Sequence, residues 1–165
     1  MSKIEIELKY RIKYPEEVES KLKKLGAIFK KEFSGIDTYY IVPNNPNGKK
    51  YLRIREQDGK AEIHYHFAES QSHTKEWEVG VTDPTIAKEI LNQLEYKIDV
   101  IVEKKRKVYT FLKSEIVLDQ VKHLGNFIEI EAPTEEELKL IANNLNLHFE
   151  DQVQNAGYSD LLRNN

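Results

Sequence analysis

Residues 4–12, Ile4-Glu-Ile-Glu-Leu-Lys-Tyr-Arg-Ile12, alternate without a break. Successive side chains of an extended strand point to opposite faces. Ile4, Ile6, Leu8, Tyr10 and Ile12 therefore share one face, and Glu5, Glu7, Lys9 and Arg11 the other. A single amphipathic strand gives its charged face to water. Here the pattern returns: charged residues spaced by one position occur at Arg53/Arg55, Glu76/Glu78, Lys104/Arg106 and Glu129/Glu131, each in a stretch that reads as a strand. If these faces all point inward, the chain wraps a lumen lined with both signs of charge, suited to a polyphosphate and its metal ions.

Working outward from that strand, Pro15 opens a helix whose apolar stripe is Val18, Leu22 and Leu25, and Gly26 stops it. Ala27 to Phe33 reads as a strand, Ser34-Gly35 as a turn, and Asp37 to Val42 as a second strand. After an Asn- and Pro-rich loop comes Tyr51 to Glu56, and Asp58-Gly59 marks a hairpin into Ala61 to Phe67. Ala68 to His73 reads as a polar loop, and Lys75 to Val81 as a strand. Asp83-Pro84 starts a helix whose buried stripe is read as Ile86, Ile90, Leu91 and Leu94. Tyr96 to Leu112 is one long strand or two shorter ones; Ile116 to Val121 and Phe127 to Ala132 follow. Thr134 and Glu137 have capping-box spacing before a helix with Leu138, Ile141 and Leu145 inward, and Tyr158 to Leu162 is a short last helix. Neighbouring strands are joined mainly as hairpins, which predicts a single α+β domain over 1–165: a closed or nearly closed antiparallel β-barrel with helices packed outside.

The totals agree with that class. The 165 residues carry 25 basic and 28 acidic side chains, a net charge of −3 that argues against a general nucleic-acid binder. No cysteine is present, so neither a disulfide framework nor a thiolate metal site can form. No apolar run approaches the roughly 20 residues of a membrane span, and no signal-peptide core stands at the start, so a cytoplasmic protein without membrane partners is expected.

The chemistry-bearing residues sit on strands. Glu5 and Glu7 leave one face about 7 Å apart, and Glu129 and Glu131 repeat the geometry. Oxygen donors of this kind suit Mg2+ or Mn2+ rather than zinc; a pair of solvated strand faces is the plain alternative. Arg53 and Arg55 could bind phosphate with paired donors or form cross-strand ion pairs. In the run Lys104-Lys105-Arg106-Lys107, either Lys104 and Arg106 or Lys105 and Lys107 enter the charged face, and alternation does not choose. Glu76 and Glu78 are further ligands or partners for the cations. His64 and His66 share a face, but spacing marks no third zinc ligand. There is no Gly-rich phosphate loop and no nucleophile elbow.

Taken together these motifs resemble a known family. Glu5-Ile-Glu-Leu-Lys9 is similar to the ExExK signature of the CYTH superfamily, the triphosphate tunnel metalloenzymes. Asp37-Thr-Tyr-Tyr40, Leu52-Arg-Ile-Arg55, Glu76-x-Glu78, Val102-x-Lys104-x-Arg106-x-x-Tyr109, Leu118-Asp119 and Leu124-Gly-Asn-Phe-Ile-Glu-Ile-Glu131 follow in the family's order. Gly157-Tyr-Ser-Asp-Leu-Leu162 resembles the end of the class IV adenylyl cyclase branch.

The resemblance implies an eight-stranded antiparallel tunnel. It selects Lys104 and Arg106, and implies that Lys9, Arg53, Arg55, Lys104 and Arg106 bind phosphates. Glu5, Glu7, Glu129 and Glu131 would serve Mg2+ or Mn2+, with Glu76 and Glu78 as additional ligands, and Glu5, Glu7, Lys9 and Arg106 would carry the catalytic work. One departure stands out. Where the family carries an inward Lys, the stretch here is Ile63-His-Tyr-His66, so His66 takes that place on the substrate side. The implied reaction is ATP to cyclic AMP and pyrophosphate. The alternatives are hydrolysis of inorganic triphosphate, thiamine triphosphate or a nucleoside triphosphate, and a non-catalytic polyphosphate- or nucleotide-binding module. A homodimer is compatible with this reading.

Overall fold

The structure, a computed structural model, describes residues 6–68, 74–153 and 157–165. Glu5, with the rest of the N-terminal pentapeptide, and most of the expected Ala68 to His73 loop lie outside the described residues.

The elements run β1 (Ile6–Ile12), α1 (Pro15–Leu25), β2 (Ile28–Tyr40), β3 (Lys50–Gln57), β4 (Lys60–Ala68), β5 (Thr74–Val81), α2 (Pro84–Gln93), β6 (Ile98–Phe111), β7 (Ser114–Val121), β8 (Gly125–Ala132), α3 (Glu135–Asn144) and α4 (Tyr158–Arg163), with one 3-10 turn at Phe149–Asp151. The strands make one eight-stranded sheet in the order β1-β8-β7-β6-β2-β3-β4-β5. Every pair whose register is described is antiparallel. The order is linear, with β1 and β5 as its ends, and among the described residues no hydrogen-bonded pairing joins them, so of the two expected forms the fully closed one does not hold.

The chain forms two compact units, one over residues 34–68, 74–103 and 157–165, the other over 6–33 and 104–153 of those described. In the second unit, the apolar faces of β1, β6, β7 and β8 meet α1 and α3 in a core of Tyr10, Val18, Leu22, Tyr109, Ile116, Ile128, Ile130, Leu138 and Ile141. α1 starts at Pro15 and ends at Gly26, whose φ of 84° is the left-handed conformation a helix terminus favours. Thr134 Oγ1 accepts from Glu137 N at the head of α3. The Glu137 carboxylate reaches across to the β6–β7 hairpin, accepting from Ser114 Oγ and Lys113 N. In the first unit the core is Tyr40, Leu52, Ile54, Ala87 and Leu91, with α2 lying on β2 and β3. Asp58 and Gly59 both have positive φ, 54° and 71°, as a two-residue hairpin turn of the expected type requires.

Two expectations fail, each for a physical reason. Ser34-Gly35 is no turn: β2 runs straight through it, with Gly35 paired to Gln57. A Cβ on Gly35 would lie 3.2 Å from Gln57 Cβ, so glycine serves close strand approach here. On α2, Ile86, Ile90 and Leu94 are exposed, and burial falls to Ala87 and Leu91. The small Ala87 side chain lets the helix sit close to β3, which turns the bulkier residues outward. Tyr96 to Leu112 resolves into the single long strand β6.

The burial pattern of α2 has a measurable consequence. Leu91→Ala is expected to cost about 2–4 kcal/mol in urea unfolding, as a core truncation does, whereas Ile90→Ala should shift stability by no more than about 0.5 kcal/mol. Equal losses would restore the original stripe.

Candidate functional site

Strand alternation sets the charged residues of neighbouring strands on a common face in each unit.

In the second unit this face carries Glu7 and Lys9 of β1, Lys104 and Arg106 of β6, Asp119 of β7, and Glu129 and Glu131 of β8. Register places Glu7 opposite Glu131, Lys9 opposite Glu129, and Arg106 opposite Asp119. Arg106 Nε donates to Asp119 Oδ1 at 2.7 Å, and its Nη2 to Glu129 Oε2 at 2.7 Å. Lys9 Nζ lies 3.1 Å from Glu129 Oε1. Lys104 and Asp119 are buried, and Phe127 on the same face is 0% exposed, so this is not a solvated edge. Burial works to raise the Glu129 carboxyl, but Lys9, Arg106 and Lys104 outweigh it and hold the group at about 2.

The run of four cations is thereby sorted. Lys107 points the other way: its Nζ donates to Glu19 Oε2 of α1 at 2.9 Å, beside Tyr109 OH, which donates to Glu19 Oε1 at 2.7 Å. Burial and the Glu19 carboxylate raise the Tyr109 hydroxyl well above its ordinary range. Lys105 is exposed.

In the first unit the charged face carries Asp37 and Tyr39 of β2, Arg53 and Arg55 of β3, Glu62, His64 and His66 of β4, and Glu76 and Glu78 of β5. Asp37, 2% exposed, sits between the arginines: Arg55 Nε donates to its Oδ1 at 2.8 Å, and Arg53 Nη1 lies 3.9 Å from its Oδ2. Arg53 Nη1 also donates to Tyr39 OH at 2.9 Å, and Arg53 Nη2 lies 3.9 Å from Glu76 Oε1. Burial works to lower Arg53, but Tyr39, Asp37 and Glu76 carry its proton affinity above the ordinary value. Arg53 Nε is buried and has no acceptor. His64 Nδ1 lies 2.9 Å, and His66 Nε2 2.7 Å, from Glu76 Oε1. Burial would raise the Glu76 carboxyl, yet the His64 and His66 contacts and the charge of Arg53 take it far below the usual range.

Of the residues read from sequence, Lys9, Lys104, Arg106, Glu129, Glu131 and Glu7 thus share one unit's charged face. Arg53, Arg55, His66, Glu76 and Glu78 share the other's. Glu7 and Glu78 are the exposed members, and Glu5 lies outside the described residues. Asp37 and Asp119, quoted above only as members of motifs, anchor the arginines. Tyr39 was given no role and Glu62 was not singled out; their signal was the same alternation, since Tyr39 is two positions from Asp37 and Glu62 two from His64.

The donor set of the second unit fits a hard divalent cation. Glu7, Glu129 and Glu131 offer only oxygen, Glu129 is held ionised, and the directly opposed Glu7 and Glu131 are a like-charge pair of the kind that a cation relieves.

The Glu129 cluster also predicts acid sensitivity. Its folded pKa is depressed, so its stabilisation is complete above about pH 4.3 and fades as pH falls towards about 2. Glu129→Gln should cost about 3 kcal/mol at pH 7 and flatten the fall in stability between about pH 4 and 2. Acid titration of both proteins by circular dichroism checks this; parallel curves would contradict it.

The family model described as the CYTH domain matches residues 3–153. A Methanocaldococcus jannaschii protein named "Putative adenylate cyclase MJ0240" is 32% identical over 133 residues, 78% of this chain and 76% of that one. The structure of the PH1012 protein from Pyrococcus horikoshii OT3 superposes with a TM-score of 0.82 at 32% identity, covering 95% of this chain and 98% of the other. A structure from Vibrio parahaemolyticus described as a putative adenylate cyclase shares the fold, with a TM-score of 0.80 at 21% identity over 99% of each chain. With two charged strand faces in the order of its motifs and a family match over nearly the whole length, this chain belongs to the CYTH domain family.

Proposed function

We propose that this protein is a divalent-metal-dependent enzyme acting on a triphosphate, and that its reaction converts ATP to cyclic AMP and pyrophosphate. The observation that carries the reading is the buried Arg53 Nε, a charged donor without an acceptor on a strand face already holding Arg55. A desolvated guanidinium donor left open costs stability unless an oxyanion comes to it. The family match and the M. jannaschii relative's name support the choice of substrate and product.

In this reading Arg53, Arg55, Lys9, Lys104 and Arg106 bind phosphate oxygens. The ribose 3′ oxygen attacks the α-phosphorus, its proton passes to solvent, and the bond from the α-phosphorus to the bridging oxygen breaks, releasing pyrophosphate. Negative charge grows on that leaving group, and preset cations stabilise it without reorganising. Asp119 and Asp37 hold Arg106 and Arg55 in place from behind. Glu129, Glu131 and Glu7, together with Glu5, would hold Mg2+ or Mn2+, which supplies charge neutralisation and acidifies the attacking hydroxyl. His66 is left out of the phosphate set because its ring is turned onto Glu76.

The test is incubation with ATP, and separately with tripolyphosphate, in Mg2+ or Mn2+, with the products resolved by chromatography. Cyclic AMP with equimolar pyrophosphate is expected. Orthophosphate release without cyclic AMP would assign hydrolysis, with water as the nucleophile, and no turnover of either would leave a binding module. Arg106→Ala should lower kcat/KM by about 100- to 1,000-fold, the usual cost of losing a preset charge-stabilising donor.

A further inference from the structure

One cluster in the first unit differs from the rest in its donor chemistry. His64, His66 and Glu76 bring one ligand atom each to within 4.8 Å of one another. Sequence spacing showed two histidines and no third ligand. The β4–β5 register supplies it by setting Glu76 directly opposite His66 and Glu78 opposite His64. His64 is 2% exposed, and the two imidazoles stack with centroids 5.9 Å apart and planes 15° from parallel. Their nitrogens therefore project side by side towards one carboxylate oxygen.

Two further observations point to a cation at that position. Glu62 Oε2 lies 3.2 Å from His64 Nε2, on the far side of the ring from Glu76. A carboxylate behind an imidazole fixes the tautomer and turns the other nitrogen's lone pair forward, as around metal-bound histidines. Second, the buried His66 Nε2 comes within 2.7 Å of Glu76 Oε1 yet is not aligned for a hydrogen bond. Contact without alignment is what converging donors show when their common target is a point between them rather than each other.

We propose that His64 Nδ1, His66 Nε2 and the Glu76 carboxylate form a binding site for one borderline transition-metal ion, with Zn2+ or Co2+ as the type. Two imidazoles and one carboxylate select such ions over Mg2+, which takes oxygen donors and keeps much of its water. Glu78 Oε1, 3.5 Å from His64 Nδ1 on an exposed side chain, lies outside the group of three, which leaves the fourth position to water. Ligand atoms around a tetrahedral zinc lie about 3.3 Å apart, given bonds near 2.0–2.1 Å. The present 2.7 and 2.9 Å to Glu76 must open by about half an ångström, and the two imidazole nitrogens, within 4.8 Å of one another, must take the same spacing. The site differs in donor chemistry from the all-carboxylate set of Glu7, Glu129 and Glu131, and it holds whether or not the protein turns over a triphosphate.

The experiment uses the full, untagged chain stripped of metal with a chelator and dialysed free of it. Co2+ is added while visible absorption and the fluorescence of Trp77, which lies between Glu76 and Glu78 in sequence, are followed. Saturation at one equivalent is expected, with the intense bands of a four- or five-coordinate ion and quenching of Trp77. Zn2+ should displace the Co2+, and a 1,000-fold excess of Mg2+ should not. His66→Gln and Glu76→Gln, each confirmed folded by circular dichroism, should weaken binding at least about 100-fold, and Glu62→Gln about 10- to 100-fold through loss of the orienting carboxylate. Displacement by Mg2+, failure to saturate at one equivalent, or unchanged affinity in folded His66→Gln would overturn the proposal. Unchanged affinity would place the ion on surface histidines instead.

Discussion

A guanidinium or ammonium group can leave water only if a fixed anion takes water's place, and both charged faces of this protein are built around that requirement. In one unit Asp119 closes on Arg106 from a neighbouring strand; in the other Asp37 does the same for Arg55 and stands near Arg53. Each aspartate is 2% exposed, so the partner is itself held rigid. Arg106 and Arg55 are anchored by these carboxylates. Positive charge is thus set in place during folding. Glu129 belongs to the same logic: Lys9, Lys104 and Arg106 keep it ionised despite its burial.

The apolar side of the same strands offsets that cost. Ile116, Leu118, Ile128 and Ile130 alternate with the charged residues of β7 and β8 and pack beneath α1 and α3. Leu52 and Ile54 do the same between Arg53 and Arg55, beneath α2. The direction of a charged side chain on these strands is therefore set by the burial of the apolar residues beside it in sequence. The Lys104–Lys107 run is divided in this way. Tyr109 is buried against α1, and Lys107, two positions earlier on the same face, is drawn to Glu19, which leaves Lys104 and Arg106 for the other face.

The His64–His66–Glu76 cluster obeys a different rule from the arginine sets. A cation–carboxylate pair satisfies itself, whereas two imidazoles aimed at one oxygen, with another carboxylate behind one of them, gather mixed nitrogen and oxygen donors at a point suited to a metal ion. This also bears on His66 as a stand-in for lysine. A lysine there would have a flexible stem and a fixed charge, while the imidazole is short, stacked on His64 and committed to β5.

The alternation at Ile4 to Ile12 and its recurrence down the chain made the strands, the hairpins and most of the charged positions legible in the order of residues alone, because period two is a local property of an extended backbone. The helix boundaries at Pro15, Gly26, Asp83 and Thr134 were legible for the same reason: caps and turn residues act within a few positions. Other features depend on what lies opposite in space. Ser34-Gly35 reads as a turn until Gln57 is seen against Gly35. On α2, Ile86, Ile90, Leu91 and Leu94 are equally apolar, and only contact with β3 decides that Leu91 goes inward. The third ligand beside His64 and His66 comes from β5, ten positions on from His66, and cross-strand register alone brings it there. The sequence by itself determined which residues can share a face. Tertiary structure decided which faces are covered and which residues meet across strands, because burial and register are set by partners distant in the chain.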